Sequence, residues 1–394
     1  MKIIHFVENF SPLSQTFIYD LITNLNKRKD QKNLVISYRR VLEKERPFEP
    51  TIITANLCPF YKILSKILNK LKIKILAEPK VKQLRKTMKG FHEYDVFHAH
   101  FGNSGYYALK ANRTEDFAQK TVISLHGTDT TKYLANQYEY RETLIKGAAN
   151  GCLFIANSKY LANKAIALDL PEKNIRIVHN SVNHLFKKAE RYLPYQGGTL
   201  NIVCVGRLIR WKGHEFLLRA LPALLDNIGN VRLTIVGDGK GKAFLQALAV
   251  ELGIDNIVYI VGAVQHEELP ALLSKNHIYV QPSIHDDATG QEESFGVAML
   301  EALSVGLPVV ITNTGGMPEV VGYHSSRCVR IVNEKSPQSI CDGIVSLCRD
   351  RDSFLLDIPE RTRILERYSL KKQIDSLLSV YHELLQKRKS EAYG

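Results

Sequence analysis

Two groups of residues in the second half of this 394-residue chain are of the types that hold phosphate and sugar. The apolar run NIVCVG ends at Gly206 and leads into Arg207-Leu208-Ile209-Arg210-Trp211-Lys212-Gly213, and a helix is expected over His214–Leu225. A glycine at a strand end lets the backbone turn tightly, Arg207 can fork onto phosphate oxygens, and Lys212 adds a compact charge. Two cations in a strand–helix loop make a diphosphate clamp or, read plainly, two solvated surface charges. The second group is Glu293-Ser294-Phe295-Gly296 followed by Val297-Ala298-Met299-Leu300-Glu301-Ala302. Ser294 is expected to cap a helix whose free amides meet an anion. Glu301 lies about two turns from Glu293, near the same face, where two carboxylates could accept hydroxyl hydrogen bonds. A capped helix with two solvated glutamates fits the pattern equally.

The first half offers imidazoles. TVISL ends at His126-Gly127-Thr128-Asp129, which places a histidine at a strand tip, with Asp129 as its support. His98 and His100 in DVFHAHFG point to one face of a strand. A metal pair there finds no third ligand nearby in sequence, and the alternative is a His100 that faces a cleft. No metal site is read from the sequence, so no metal and no cofactor are expected.

These residues need strand ends to hold them. KIIHFV, LVISY, DVFHAH, TVISLHG, GCLFIAN and IRIVHNSV read as buried strands between helical stretches such as Gln15–Asn26 and Lys159–Leu168. The alternation restarts with LNIVCVG, VRLTIVG, NIVYIVG, HIYVQPS and GLPVVIT. Strands separated by helices imply parallel sheets covered on both faces. The expectation is therefore an α/β chain with two doubly wound, Rossmann-like domains facing a central cleft. Residues 1–185 form the first, 186–200 a linker with a charged segment, a Pro and a Gly-Gly pair, and 201–370 the second. A tail helix over 371–394, expected to cross back to the first domain, carries an apolar stripe at Ile374, Leu377, Leu378, Tyr381, Leu384 and Leu385. The whole tail from Phe354 to Lys389 reads as helical. In such sheets ligands bind beyond the carboxyl ends of the strands, where the motifs above fall.

The composition narrows the class. Residues 1–190 hold 31 Lys and Arg against 17 Asp and Glu, and the remainder holds 22 against 23, so the excess positive charge lies in the first half. That asymmetry points to an anionic partner. Six scattered cysteines without a CxxC pair argue against a disulfide framework or zinc finger and fit a reducing cytoplasm. No signal peptide and no run approaching the ~20 apolar residues of a membrane span are evident.

GRLIRWKG followed by ESFGVAMLEALSVGLPVVITNTGGMPEVV resembles the family 4 retaining glycosyltransferases of the GT-B fold, with that family's Glu-x7-Glu signature in register. The resemblance extends over the C-terminal half. It implies that Arg207 and Lys212, after Gly206, bind the donor diphosphate, that Glu293 holds donor sugar hydroxyls, and that the amides around Ser294, Phe295 and Gly296 meet phosphate or sugar. Glu301 would bind the ribose, and Val261-Gly262 would lie by the base. His126 would donate a hydrogen bond in the transition state. The opening loop has Pro12-Leu13-Ser14-Gln15-Thr16-Phe17 in place of the Gly-Gly pair of many relatives, and resembles in this a colanic-acid-type exopolysaccharide subgroup. Its Ser14 and Thr16, with His100 and Asp129, are acceptor candidates, and a plain helix cap is the alternative for the first two.

The resemblance thus implies a nucleotide-sugar donor as co-substrate and a glycan or polyprenyl-linked acceptor, in exopolysaccharide, capsule or lipopolysaccharide assembly. The basic stretch Phe60–Lys89 has ten Lys and Arg and one acid, with Lys62, Lys66 and Lys70 beside an apolar stripe. It reads as a helix able to dock on an anionic membrane surface, at the inner face of the plasma membrane, or as a helix packed on its own sheet. Nucleic acid is not expected, for want of an aromatic-interleaved basic motif. Gly237-Asp238-Gly239-Lys240-Gly241 lacks the spacing of a dinucleotide loop and reads as a turn in the sugar-nucleotide domain. A GT-B epimerase and a non-catalytic sugar-nucleotide binder are the rival readings.

Overall fold

The computed structural model describes residues 1–12, 15–54, 77–90, 93–133, 137–188, 194–354 and 359–393. The chain divides into two units. The first comprises Met1–Asn157, Leu161–Val178 and Ile374–Gly394, the second Ser158–Tyr160 and His179–Gln373.

The first unit is built on seven strands: β1 Lys2–Phe10, β2 Lys32–Arg40, β3 Thr51–Ile53, β4 Val96–His100, β5 Thr121–Leu125, β6 Leu153–Ala156 and β7 Ile175–Ile177. All pair in parallel, in the order β3-β2-β1-β4-β5-β6-β7. β4, β5 and β6 are buried along their whole length, as parallel strands covered on both faces must be. Phe6, Phe97, Ile123 and Phe154 form the centre of one face with Leu109, Tyr140 and Leu144 from the covering helices.

The second unit repeats the plan with β8 Leu200–Val205, β9 Val231–Val236, β10 Val258–Gly262, β11 Ile278–Gln281, β12 Val309–Thr312 and β13 Val329–Val332. Their order is β10-β9-β8-β11-β12-β13, again all parallel. In each sheet the order reverses between the first strand and a later one, β1 beside β4 and β8 beside β11. A crevice opens at the carboxyl ends of such a pair.

Three elements depart from the sequence reading. β3 and β13, only three and four residues long, were not distinguished from loop. The tail is two helices, Pro359–Arg367 and Leu370–Tyr393, rather than one. Tyr368, 1% exposed, turns into the second unit's core, and Ser369 bridges to Val182 there, which breaks the helical path. From Ile374 onward the tail belongs to the first unit, where Asp375 pairs with Arg28 (2.7 Å) and Glu383 with Arg176 (2.7 and 2.5 Å). Among the described residues no helix is long and apolar enough to cross a membrane. Of the basic stretch, Ala77–Met88 is helical; Lys62, Lys66 and Lys70 lie outside the described residues.

Candidate functional site

The second unit brings Arg207, Lys212 and Glu293 together beyond the ends of β8 and β11. After β8 the chain passes through Gly206 and Arg207 to a short helical turn at Arg210–Lys212. Trp211, 8% exposed, supplies an apolar floor, with the Arg207 guanidinium 5.7 Å and the Lys212 ammonium 4.5 Å from its ring. Cations over an indole face are attracted by its quadrupole. Lys212 Nζ also donates to Glu293 Oε2, an ion pair whose side chains keep 16% and 12% of their exposure. Arg207 is exposed.

Glu293 is held from a second side. Gln281, the last residue of β11, donates from Nε2 to the same carboxylate oxygen at 2.9 Å. The Tyr279 hydroxyl donates to Gln281 Oε1, also at 2.9 Å. Burial raises the Tyr279 phenol well above its usual value, which keeps it a neutral donor. Tyr279 and Gln281 were missed by the sequence reading. The available signal was a polar residue closing an otherwise apolar strand in HIYVQPS.

The backbone around these side chains is crowded, and two glycines make it so. A Cβ on Gly315, at φ +60°, would fall 1.8 Å from the Glu293 carbonyl oxygen. The loop after β12 can therefore cradle Glu293 only without a side chain. Gly237, at φ +146°, would place a Cβ 1.9 Å from the Gly206 carbonyl oxygen. Leu208 donates its amide to Asp238 O (3.0 Å) and accepts from Gly241 N (2.9 Å). The Gly237–Gly241 turn is thus the bed on which the Arg207 loop lies. At Gly206 itself a Cβ would make only ordinary contact, 3.5 Å from the Lys212 side chain. The position in this loop where a side chain cannot fit is Gly237.

Two further expectations are corrected. Ser294 does not cap the following helix. That helix is Val297–Ser304, its N-cap is Gly296 in the left-handed region at φ 91°, and no side chain caps it. Ser294 is buried instead, its carbonyl accepting from Ser158 Oγ at 2.8 Å. Glu293 and Glu301 do not share a helix face, because Glu293 precedes the helix. Glu301, 6% exposed, accepts from His266 Nε2 at 2.8 Å, and the His266 ring packs 5.1 Å from Phe186. Nothing in the sequence marks His266. Phe295 puts its side chain into the core against Tyr368, 5.3 Å between ring centroids, and leaves only backbone for a ligand. Val261 is 49% exposed, and Gly262, at φ +82°, ends β10 where the register with β9 shifts.

In the first unit, His126 follows β5 with its half-buried ring 5.0 Å from Phe17 and 4.6 Å from Phe101. This apolar setting pushes its pKa well below the usual imidazole value, so the ring is neutral at neutral pH. Asp129 does not support that ring. It is 2% exposed and its Oδ2 accepts from the His126 backbone amide at 2.6 Å. Burial raises its pKa to about 6, against backbone hydrogen bonds from His126 and Gly102 that lower it. Asp129 is a loop-folding residue with no carboxylate to present. Thr16 opens the helix Thr16–Asn26 and is partly exposed; Ser14 lies outside the described residues.

His100 is corrected most plainly. It is 1% exposed and lies in the sheet face rather than facing an acceptor. Its Nε2 is 3.1 Å from Nδ1 of His5 on the neighbouring β1. The third imidazole that the sequence did not reveal beside His98 and His100 is thus His5, whose register partner is His98.

The family described as "Glycosyltransferase Family 4" matches residues 14–184, and "Glycosyl transferases group 1" matches residues 188–364. The chain is 27% identical over 290 residues to an uncharacterized glycosyltransferase of Methanocaldococcus jannaschii, covering 70% of this chain and 71% of that one. It is 29% identical to the amylovoran biosynthesis glycosyltransferase of Erwinia amylovora over 59% of this chain and 56% of that protein. Among solved structures, Anabaena HepE in complex with UDP and glucose superposes with a TM-score of 0.75 at 18% identity, covering 96% of this chain and 99% of that one.

Proposed function

We propose that this chain, which belongs to the family 4 glycosyltransferases of the GT-B fold, moves a hexose from a nucleoside-diphosphate-sugar to a glycan or lipid-linked acceptor, with retention at the anomeric carbon. The observation that carries the reading is that Arg207 and Lys212 both lie over the Trp211 ring beyond β8, with Lys212 paired to Glu293. The Erwinia amylovora relative is named for amylovoran biosynthesis, which supports a role in cell-surface polysaccharide synthesis.

Loss of the nucleoside diphosphate builds negative charge on phosphate and positive charge on the sugar ring. Arg207 and Lys212 stabilise the phosphate charge, and do so more effectively because they are positioned before reaction. Glu293, oriented by Gln281, accepts from sugar hydroxyls, and Glu301, steadied by His266, from the ribose. The amides around Ser294 and Gly296 meet the phosphates, and Val261-Gly262 lies by the base. His126, kept neutral, donates a hydrogen bond to the transferring sugar. Departure and attack on the same face need no protein nucleophile, and the reading assigns no cofactor. The acceptor is given to the first unit, with Ser14 and Thr16 as contacts. Its basic stretch Phe60–Lys89 would bring a cytoplasmic enzyme to an anionic membrane surface.

The test is a thermal-shift screen of nucleoside diphosphates and their sugars, followed by acceptor-dependent turnover. One nucleoside diphosphate should raise the melting temperature, and its sugar should be transferred with the anomeric configuration kept, read by proton NMR of the product. Inversion, or donor isomerisation without transfer, would overturn the assignment.

A further inference from the structure

A stripe of polar side chains crosses the middle of the first unit's sheet, where an apolar face is expected. His5 on β1 sits opposite His98 on β4, and His100 lies two residues on, opposite Ser124 of β5. Side chains two apart on a strand, or opposite on parallel neighbours, share a face. All three imidazoles are 0 to 1% exposed. One nitrogen from each can be chosen so that the three lie within 4.8 Å of one another. The rings are stacked close, 4.1 Å between centroids for His98 and His100 and 5.3 Å for His5 and His100.

Each outer partner orients its ring. Asn33 Oδ1 is 3.0 Å from His5 Nε2. A carbonyl oxygen only accepts, so the His5 proton is on Nε2 and the Nδ1 lone pair points inward at His100 Nε2. His98 is flanked by two hydroxyls, Tyr381 at 2.6 Å from Nδ1 and Ser124 at 2.7 Å from Nε2. A hydroxyl donates or accepts, so one of the two can fix the distal N–H of His98, and the other swings aside to free the ligating nitrogen. Metal-bound histidines have this arrangement, with the distal nitrogen tied to an amide, carboxylate or hydroxyl.

We infer that His5, His98 and His100 bind one divalent cation of the zinc class inside the first unit. Two nitrogens on a tetrahedral zinc, at ~2.0–2.1 Å each, stand roughly 3.3 Å apart. The 3.1 Å between His5 Nδ1 and His100 Nε2 is within a small adjustment of that. Three neutral imidazoles suit zinc better than magnesium or calcium, which prefer oxygen. The fourth position falls to a water held by whichever hydroxyl, Ser124 or Tyr381, leaves the ligating His98 nitrogen. Burial on every side makes the cation structural: it ties β1 to β4 and, through Tyr381, the tail helix Leu370–Tyr393 to the sheet. This inference is independent of the transferase reading.

The test uses the full chain, without a polyhistidine tag, equilibrated with zinc in a weak competing chelator and measured by elemental analysis. About one zinc per chain is expected, with near-complete loss in the His5→Gln/His100→Gln variant. In case that variant does not fold, wild-type protein loaded with cobalt(II) should show the visible ligand-field bands of a four-coordinate, imidazole-bound ion. Removing the metal with a strong chelator should lower its melting temperature. Wild-type protein that holds no zinc, and melts alike with and without chelator, would overturn the inference and leave a hydrogen-bonded imidazole network. A folded variant that keeps its zinc would overturn it as well.

Discussion

The crevice beyond β8 and β11 and the sheet face across β1 and β4 occupy matching places in two sheets of the same order, yet they hold polarity in opposite ways. In the second unit the polar groups are ionic. Lys212 and Glu293 stand past the strand ends, retain part of their exposure, and pair with each other. In the first unit the polar groups are neutral. His5, His98 and His100 lie within the strands, fully enclosed, with burial as the main force lowering their pKa values. The cost of enclosing a charged side chain, with neither water nor a ligand to compensate it, explains the division. A carboxylate or ammonium is tolerated at the rim, where water or a ligand can solvate it. An imidazole can enter the sheet because it can discard its proton. The rim is thus suited to meeting a charged substrate, and the sheet face to holding the unit together.

The contrast can be broken most sharply at Lys212. Lys212→Ala should reduce transfer by about 10²–10³, the usual cost of losing one preorganised electrostatic contact, while the chain still melts cooperatively. Near-normal turnover would remove the rim from the chemistry. Lys212→Ala leaves Glu293 without its ionic partner, and the melting temperature of the double variant with Glu293→Gln shows how much of any stability loss is that unpaired carboxylate.

The glycine bed gives the next effect. Gly315→Ala forces a Cβ to within 1.8 Å of the Glu293 carbonyl oxygen and should cost about 3 kcal/mol or more in chemical denaturation. Gly206→Ala, with 3.5 Å available, should be close to neutral. Equal costs at the two positions would contradict the packing described.

Asp129 tests the first unit. Its folded pKa of about 6 lies above the unfolded value of 3.8, so as pH rises the unfolded chain loses this proton first and stability falls between those values. Asp129→Asn removes that fall. Relative to wild type, the variant should be more favoured at pH 7.5 than at pH 4.5 by about 2 kcal/mol. A difference independent of pH would show the carboxylate to be solvated. The smallest effect is expected at His266. His266→Gln loosens Glu301 and should raise the donor KM about fivefold, the worth of one hydrogen bond of about 1 kcal/mol, with kcat little changed. An equal fall in kcat would place His266 in the chemical step.

Much of this molecule was legible in the order of its residues. The alternation of apolar runs with helical patterns determined two parallel α/β units, because a strand buried on both faces has to be apolar throughout. The sites at strand ends followed from that, with Arg207, Lys212 and Glu293 among them, since only the ends of such strands can carry charge. Short-range geometry was read less well. The cap went to Gly296 rather than Ser294 because the chain enters that helix with a positive φ, which a glycine accommodates more readily than a serine. Glu301 found His266, and Asp129 found backbone amides, through contacts no spacing in the chain announces. His5 is the clearest case: 93 residues separate it from His98, and only the pairing of β1 with β4 makes them neighbours. The sequence by itself determined which residue types lie within strands and which at their ends, because hydrophobic periodicity is local. Which polar groups meet was decided by the tertiary structure alone, because strand order and register bring together residues far apart along the chain.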